Sequence, residues 1–136
     1  MPQIDEKLIT PQTVGSGVFN VRDFQQFSAA EETVVRAYGE DQDMSIVVWN
    51  LEPGQENSPH LHPENAHMQI VLEGSGVYLR GNGEPVPIQV GQFVIVPRGT
   101  AHGIRNTGAT RLPYLAVTTR RDGKRVREEA GQGSGH

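Results

Sequence analysis

Four of the five histidines fall in two short segments of the chain. His60, His62 and His67 lie in HLHPENAH, and His102 lies in PRGTAHGIRN. A neutral imidazole offers one nitrogen lone pair to a metal ion, and alternate residues of a strand point to the same side, so His60 and His62 can both face one interior. The turn residues Pro63 to Ala66 would return His67 on an adjoining strand. If the four side chains converge, they form a metal site, whereas His136 is expected to be a tail residue.

Two spaced motifs make this chain resemble the cupin superfamily. The first, G-x5-H-x-H-x4-E-x6-G, is matched at Gly54, His60, His62 and Gly74, and His67 stands where the family usually has glutamate. The second, G-x5-P-x-G-x2-H-x3-N, is matched without a gap at Gly91, Pro97, Gly99, His102 and Asn106. The resemblance covers the stretch from about Met44 to Thr119. It implies a conical jelly-roll β-barrel with a metal site in its mouth.

A four-histidine site would differ from the usual set of three histidines and one glutamate. Neutral ligands cancel none of the charge of a divalent ion, which would therefore attract anionic ligands more strongly. We expect one divalent transition metal ion per chain, iron or manganese first and zinc or nickel as alternatives. An octahedral ion would keep two positions open. In the alternative arrangement, His67 donates a hydrogen bond near the site and only His60, His62 and His102 bind the metal.

The pattern of short apolar runs and Gly and Pro turns predicts an all-β protein of about eight or nine strands. The segment from Val14 to Phe27 fits either a short helical turn or a strand. The expected strands are Glu32 to Tyr38, Met44 to Leu51, His67 to Leu72, Val77 to Arg80, Glu84 to Val90, Phe93 to Val96 and Leu112 to Thr119. Pro85 and Pro87 mark the strand that contains them as an edge or irregular strand.

Composition restricts the classes of function. The chain of 136 residues has no cysteine, which excludes disulfides, thiolate nucleophiles and cysteine-ligated zinc or iron–sulfur sites. It shows neither an apolar run of the ~20 residues that a membrane helix needs nor a signal-peptide pattern. We therefore predict a soluble cytoplasmic protein with no membrane partner.

The chain is predicted to be a single domain in three parts. Residues 1–43 form an N-terminal arm and the first strands, residues 44–119 form the barrel core, and residues 120–136 form a basic, Gly-rich tail. Five of the twelve basic residues lie in that tail: Arg120, Arg121, Lys124, Arg125 and Arg127. A basic segment could contact nucleic acid. Because no DNA-binding helix is visible, we favour a solvated tail and expect no nucleic-acid partner.

Strand parity places Gln69 on the same face as His67, so its side chain is expected to enter the cavity. There it could hydrogen-bond a substrate or a metal-bound water, or else pack internally. No catalytic triad, carboxylate pair or nucleotide fingerprint is visible. Gln69 is thus the one candidate catalytic residue, and the metal is expected to supply most of the chemistry.

Three classes of function remain. The leading prediction is a metal-dependent cupin oxidoreductase, a dioxygenase acting on a small chelating substrate. The second is a non-redox Lewis-acid isomerase, lyase or cyclase of the cupin type. The third is a cupin that binds a metal or small ligand without turnover. The resemblance also implies a homodimer, since small cupins usually pair through their sheets.

Overall fold

The computed structural model describes residues 8–9, 17–39 and 44–119. These residues form ten β-strands in two sheets, with a 3-10 helical turn at Val21–Phe24. In spatial order, the six-stranded sheet contains β1 (Leu8–Ile9), β2 (Thr33–Tyr38), β3 (Met44–Leu51), β10 (Leu112–Thr119), β5 (His67–Val71) and β8 (Phe93–Val96). The four-stranded sheet contains β4 (Glu56–His60), β9 (His102–Arg105), β6 (Ser75–Arg80) and β7 (Val86–Gln89). All pairs are antiparallel except β1 with β2.

The predicted all-β jelly-roll barrel is confirmed. One continuous core receives side chains from both sheets, for example Trp49 and Tyr114 from the larger sheet and Ile104 from the smaller one. Burial of such side chains in a shared interior is the main force that holds two sheets face to face. In the described part of the chain, no helix is long and apolar enough to cross a membrane.

The apolar strands were predicted from sequence to within two residues at each end. Met44–Leu51, Phe93–Val96 and Leu112–Thr119 occur with the predicted bounds. The strand with Pro87 lies at the edge of its sheet, where an absent N–H removes no ladder bond. The sequence allowed either a helical turn or a strand between Val14 and Phe27. The described part of this segment contains the 3-10 turn Val21–Phe24, and Phe24 is buried. The division at residues 43/44 remains a prediction, and residues 120–136 lie outside the described part.

No bounds were predicted from the sequence for the two strands that carry His60 and His102. β4 reads ENSPH and β9 reads HGIR, so neither shows an apolar alternation. Pro59 lies where the β4–β9 register shifts, between Asn57 and His60. The expectation that His60 and His62 lie on one strand is wrong, because β4 ends at His60 and His62 lies in the segment that follows.

Gly103 allows β9 to approach β4 closely. A Cβ atom at this position would clash with the carbonyl oxygen of Asn57 and would lie 2.9 Å from the backbone nitrogen of Pro59. Only glycine avoids these contacts without a shift of the backbone. The close pairing sets His60 directly opposite His102.

The inner face of the six-stranded sheet changes character from row to row. Each row consists of residues paired across neighbouring strands, whose side chains share one face. The first row is apolar and contains Val34, Trp49, Tyr114 and Val71. The second contains Arg36, Val47, Ala116, Gln69 and Val94. The third contains Ser45, Thr118, His67 and Val96.

Candidate metal centre

Four histidine rings meet between the two sheets. His60 ends β4, His62 follows it, His67 begins β5 and His102 begins β9. The ring centroids of His62 and His67 are 4.4 Å apart, and those of His60 and His102 are 4.5 Å apart. The ring centroids of His67 and His102 lie 5.0 Å apart, although the two residues belong to different sheets. The structure thus brings together all four histidines of the two motifs.

Three of these histidines form the tightest group. The candidate ligand atoms of His60, His62 and His102 lie within 4.8 Å of one another, a group that could hold a metal ion. His67 lies beside this group, with its Nε2 atom buried and without a hydrogen-bond partner. Four-histidine coordination, with His67 as a ligand, therefore stays a proposal.

Hydrogen bonds determine which ring nitrogen keeps its lone pair. Nδ1 of His60 lies 2.7 Å from the carbonyl oxygen of Ser58, and Nδ1 of His102 lies 3.0 Å from that of Thr100. A carbonyl oxygen only accepts, so both Nδ1 atoms carry the proton and both Nε2 atoms keep a lone pair. Nδ1 of His67 lies 3.1 Å from the Thr118 hydroxyl, whose oxygen can accept a hydrogen bond in the same way.

The electrostatics of the cluster keep three of its four rings neutral. Burial, followed by repulsion from His60 and His102, lowers the pKa of His62 to about 4. Burial, followed by repulsion from His62 and His102, lowers the pKa of His67 to about 3. Burial also lowers the pKa of His102. At neutral pH, these three rings are unprotonated and available as ligands.

The donor set fits a transition metal ion. Buried polar atoms normally have a partner, yet Nε2 of His67 and Nε2 of His102 have no protein partner. Neutral imidazole suits zinc, copper, iron and nickel, and the partners on Nδ1 orient the rings for ligation.

A cavity of about 200 Å³ adjoins the histidines. Gln69 lines it and is only 3 % exposed, and its Oε1 atom has no hydrogen-bond partner. Trp49 also lines the cavity and stacks against Tyr114 at 6.2 Å between ring centroids. The space suits a ligand smaller than a drug-sized molecule.

Four polar residues of the cavity wall were not predicted from the sequence: Arg36, Ser45, Asn57 and Thr118. Asn57 is buried and donates a hydrogen bond of 2.9 Å to the hydroxyl of Tyr114. Burial raises the pKa of Tyr114, so this phenol stays protonated and is not a base. Arg36 interrupts the apolar strand TVVRAY, and a charged residue at this position is the signal that could have identified it.

Comparison with known families and structures agrees with this architecture. The sequence profile of the Cupin domain family matches residues 47–118. A crystal structure of an uncharacterised protein with a double-stranded β-helix domain from Klebsiella pneumoniae has 30% identity and a TM-score of 0.72. That match covers 77% of this chain and 90% of the other.

Two further similarities involve proteins from Thermotoga maritima. An oxalate-binding protein is 39% identical over 67 residues, which is 49% of this chain and 54% of the relative. The chain thus spans about half the length of this curated relative. The crystal structure of a predicted oxalate decarboxylase has 28% identity and a TM-score of 0.61, and the match covers 65% of this chain and 79% of the other.

The lowered pKa values predict that acid destabilises the metal-free protein. Below pH 6.5 the histidines of the unfolded chain bind protons, whereas folded His62 and His67 stay neutral until about pH 4 and about pH 3. The free energy of unfolding should therefore fall between pH 6.5 and about pH 4, by at most about 1.4 kcal/mol per pH unit for each histidine. Urea unfolding in the presence of a chelator, from pH 7.5 to pH 4.5, measures this slope. In the variant His67→Gln, the free energy of unfolding should depend less steeply on pH. A dependence as steep as that of the wild type would contradict the lowered pKa of His67.

Removal of a histidine ligand should remove the metal and its stabilising effect. The variant His102→Ala should retain less than about a tenth of the wild-type metal content and lose the rise in Tm on metal addition, because a ligand that binds only the folded state stabilises it. Elemental analysis and thermal unfolding measure both effects. His136→Ala, which changes the histidine outside the motifs, is the matched control and should behave as wild type. If His67→Ala binds metal with unchanged affinity, only His60, His62 and His102 are ligands.

Proposed function

This chain belongs to the cupin family, and we propose that it is a metal-dependent oxidoreductase that uses dioxygen to oxidise a small chelating acid of about the size of oxalate. The observation that carries the proposal is the group of buried imidazole nitrogens without protein partners beside a cavity of about 200 Å³. The Thermotoga maritima relatives named for oxalate binding and oxalate decarboxylation support this class of substrate.

In this proposal, His60, His62, His67 and His102 hold one iron or manganese ion. Such an ion, when bound, supplies redox chemistry with dioxygen and a positive charge that attracts chelating oxygens. The protein supplies neutral ligands at physiological pH, since burial and mutual repulsion lower the pKa of His62 to about 4 and that of His67 to about 3.

Gln69 is proposed to orient the substrate. Its buried Oε1 atom has no protein donor, so it can accept a hydrogen bond from a hydroxyl group or a water molecule in the cavity. Trp49, which stacks against Tyr114, gives the cavity an apolar floor beside Gln69. Such a floor excludes water and strengthens the polar contacts made above it.

The experiment is oxygen uptake by protein reconstituted with iron(II) or manganese(II), with oxalate, 2-hydroxy acids and enolisable diketones as substrates. We expect uptake with at least one small acid, and isotope-labelled dioxygen then separates a dioxygenase from an oxidase. Gln69→Leu should lower kcat roughly tenfold or more, because the substrate loses its orienting contact. Gln89→Leu, at an exposed position of β7, is the matched control.

Metal-loaded protein that consumes no oxygen with any of these substrates would overturn the proposed redox reaction. Equal turnover without oxygen would instead favour a Lewis-acid isomerase or lyase. The name of the oxalate-binding relative favours a second candidate, a cupin that binds a small acid without turnover. Calorimetric binding of oxalate with no product formed, in air or without it, would identify that candidate.

We also propose that the protein is a homodimer that pairs through the outer face of the six-stranded sheet. On this face, Phe93 and Ile95 are 58% and 63% exposed, and Ile70 and Met68 lie opposite them on β5. Contiguous apolar surface of this kind is typical of protein interfaces. Light scattering should give twice the chain mass of 14.9 kDa. Ile95→Lys should lower this mass to that of one chain, and Val86→Lys on β7 should leave it unchanged.

A further inference from the structure

His67 differs from His60 and His102 in the kind of group that faces its Nδ1 atom. For His60 and His102 that group is a backbone carbonyl oxygen, which can only accept a hydrogen bond. For His67 it is the hydroxyl of Thr118, at 3.1 Å. A hydroxyl can donate or accept, so the tautomer of His67 depends on the direction of this one hydrogen bond.

The two directions of this hydrogen bond give His67 two different roles. If Nδ1–H donates to Thr118, Nε2 keeps its lone pair and can bind a metal ion. If the hydroxyl donates to Nδ1, the ring proton lies on Nε2, and His67 can only donate a hydrogen bond at the site. A neutral imidazole carries a single ring proton, so one direction excludes the other. The direction therefore decides between a four-histidine and a three-histidine site.

The surroundings of Nε2 favour the first direction. This atom of His67 is buried and has no hydrogen-bond partner among the described residues, and the same holds for Nε2 of His102. A proton on Nε2 of His67 would therefore be a buried donor without an acceptor, which costs free energy and is rare in proteins. A lone pair on Nε2 can instead bind a cation that the neighbouring rings also hold.

The strand pairing places Thr118 where it can accept this hydrogen bond. Thr118 lies opposite His67 in the pairing of β10 with β5, and it lines the cavity. One residue further, the N–H of Thr119 donates to the carbonyl oxygen of Ala66 at 3.0 Å, and the N–H of Ala66 donates to the Thr119 hydroxyl at 3.1 Å. These bonds fix the backbone next to both partners and keep the hydroxyl of Thr118 opposite the ring.

We propose that Thr118 is a positioning residue that makes His67 a metal ligand: its hydroxyl oxygen accepts the hydrogen bond from Nδ1–H and so leaves the lone pair on Nε2. The inference rests on the proposed function for the metal ion, and it adds the residue that decides whether three or four histidines bind that ion. Thr118 acts through the ring of His67 and needs no contact with the metal itself.

Zinc affinity, measured by competition with a chelator, tests this role without redox chemistry. Thr118→Val keeps the shape of the side chain but removes the hydroxyl, and it should weaken zinc binding roughly 10- to 100-fold. Thr118→Ser keeps the hydroxyl and should bind zinc within about threefold of wild type. Thr107→Val makes the same change as Thr118→Val at an exposed position after β9 and should bind zinc as wild type does.

Two further measurements separate this role from a general effect on the fold. In the His67→Ala background, Thr118→Val should change zinc affinity by less than about threefold, because Thr118 acts through the ring that is missing. NMR of the ring nitrogens in metal-free protein, at mildly alkaline pH, should show the His67 proton on Nδ1 in wild type. In Thr118→Val this proton should lie wholly or partly on Nε2.

Three results would overturn the proposal: unchanged zinc affinity in Thr118→Val, an equal loss of affinity in the His67→Ala background, or a proton on Nε2 of His67 in wild type. If Thr118→Val does not fold, as judged by circular dichroism, the wild-type tautomer decides, since a proton on Nδ1 supports the proposal and one on Nε2 overturns it. Coupling of Thr118 to His67 in protein that consumes no oxygen would refute only the redox function. Oxygen uptake without this coupling would refute only the role of Thr118.

Discussion

The rest of the site depends on the close packing of four imidazole rings between the two sheets, three of which have a lowered pKa. The ring centroids lie 4.4 to 5.0 Å apart in four of the pairs, and a proton on His62, His67 or His102 would be buried beside the other rings. The neutral state that results is the state in which imidazole can bind a metal. A single sheet could not achieve this arrangement, because His67 comes from one sheet and His60 and His102 from the other.

The inward side chains of the six-stranded sheet change from apolar to polar along the strands. At one level, Trp49 and Tyr114 stack with Val34 and Val71 beside them, and two residues further along each strand the same face carries Gln69 and Arg36. A further step of two reaches His67 and Thr118. Successive inward residues of a strand are two apart. The order of apolar, polar and histidine rows therefore follows from the alternation of side chains along the strands.

Much of the site could be predicted from sequence because its residues lie in short motifs. The spacing of His60, His62, His67 and His102, together with the resemblance to the two cupin motifs, indicated the four histidines, and strand parity placed Gln69 in the cavity. β4 and β9 could not be predicted as strands, since their pairing depends on Gly103 and a bulge rather than on apolar alternation. The inward position of Arg36 was not predicted, because it depends on its register with β3 and on the irregularity after it, and its charge within an apolar strand was the one sequence signal.

The histidines and the wall that faces them occupy different parts of the chain. Three of the four rings come from β4, β9 and the segment after β4, whereas Arg36, Val47 and Ala116 belong to β2, β3 and β10. Exchange of a wall residue therefore leaves the pairing of His60 with His102 intact. Descendants of such a chain can therefore acquire new ligand preferences by changing residues of β2, β3 and β10, while the three rings from β4, β9 and the segment after β4 are inherited unchanged.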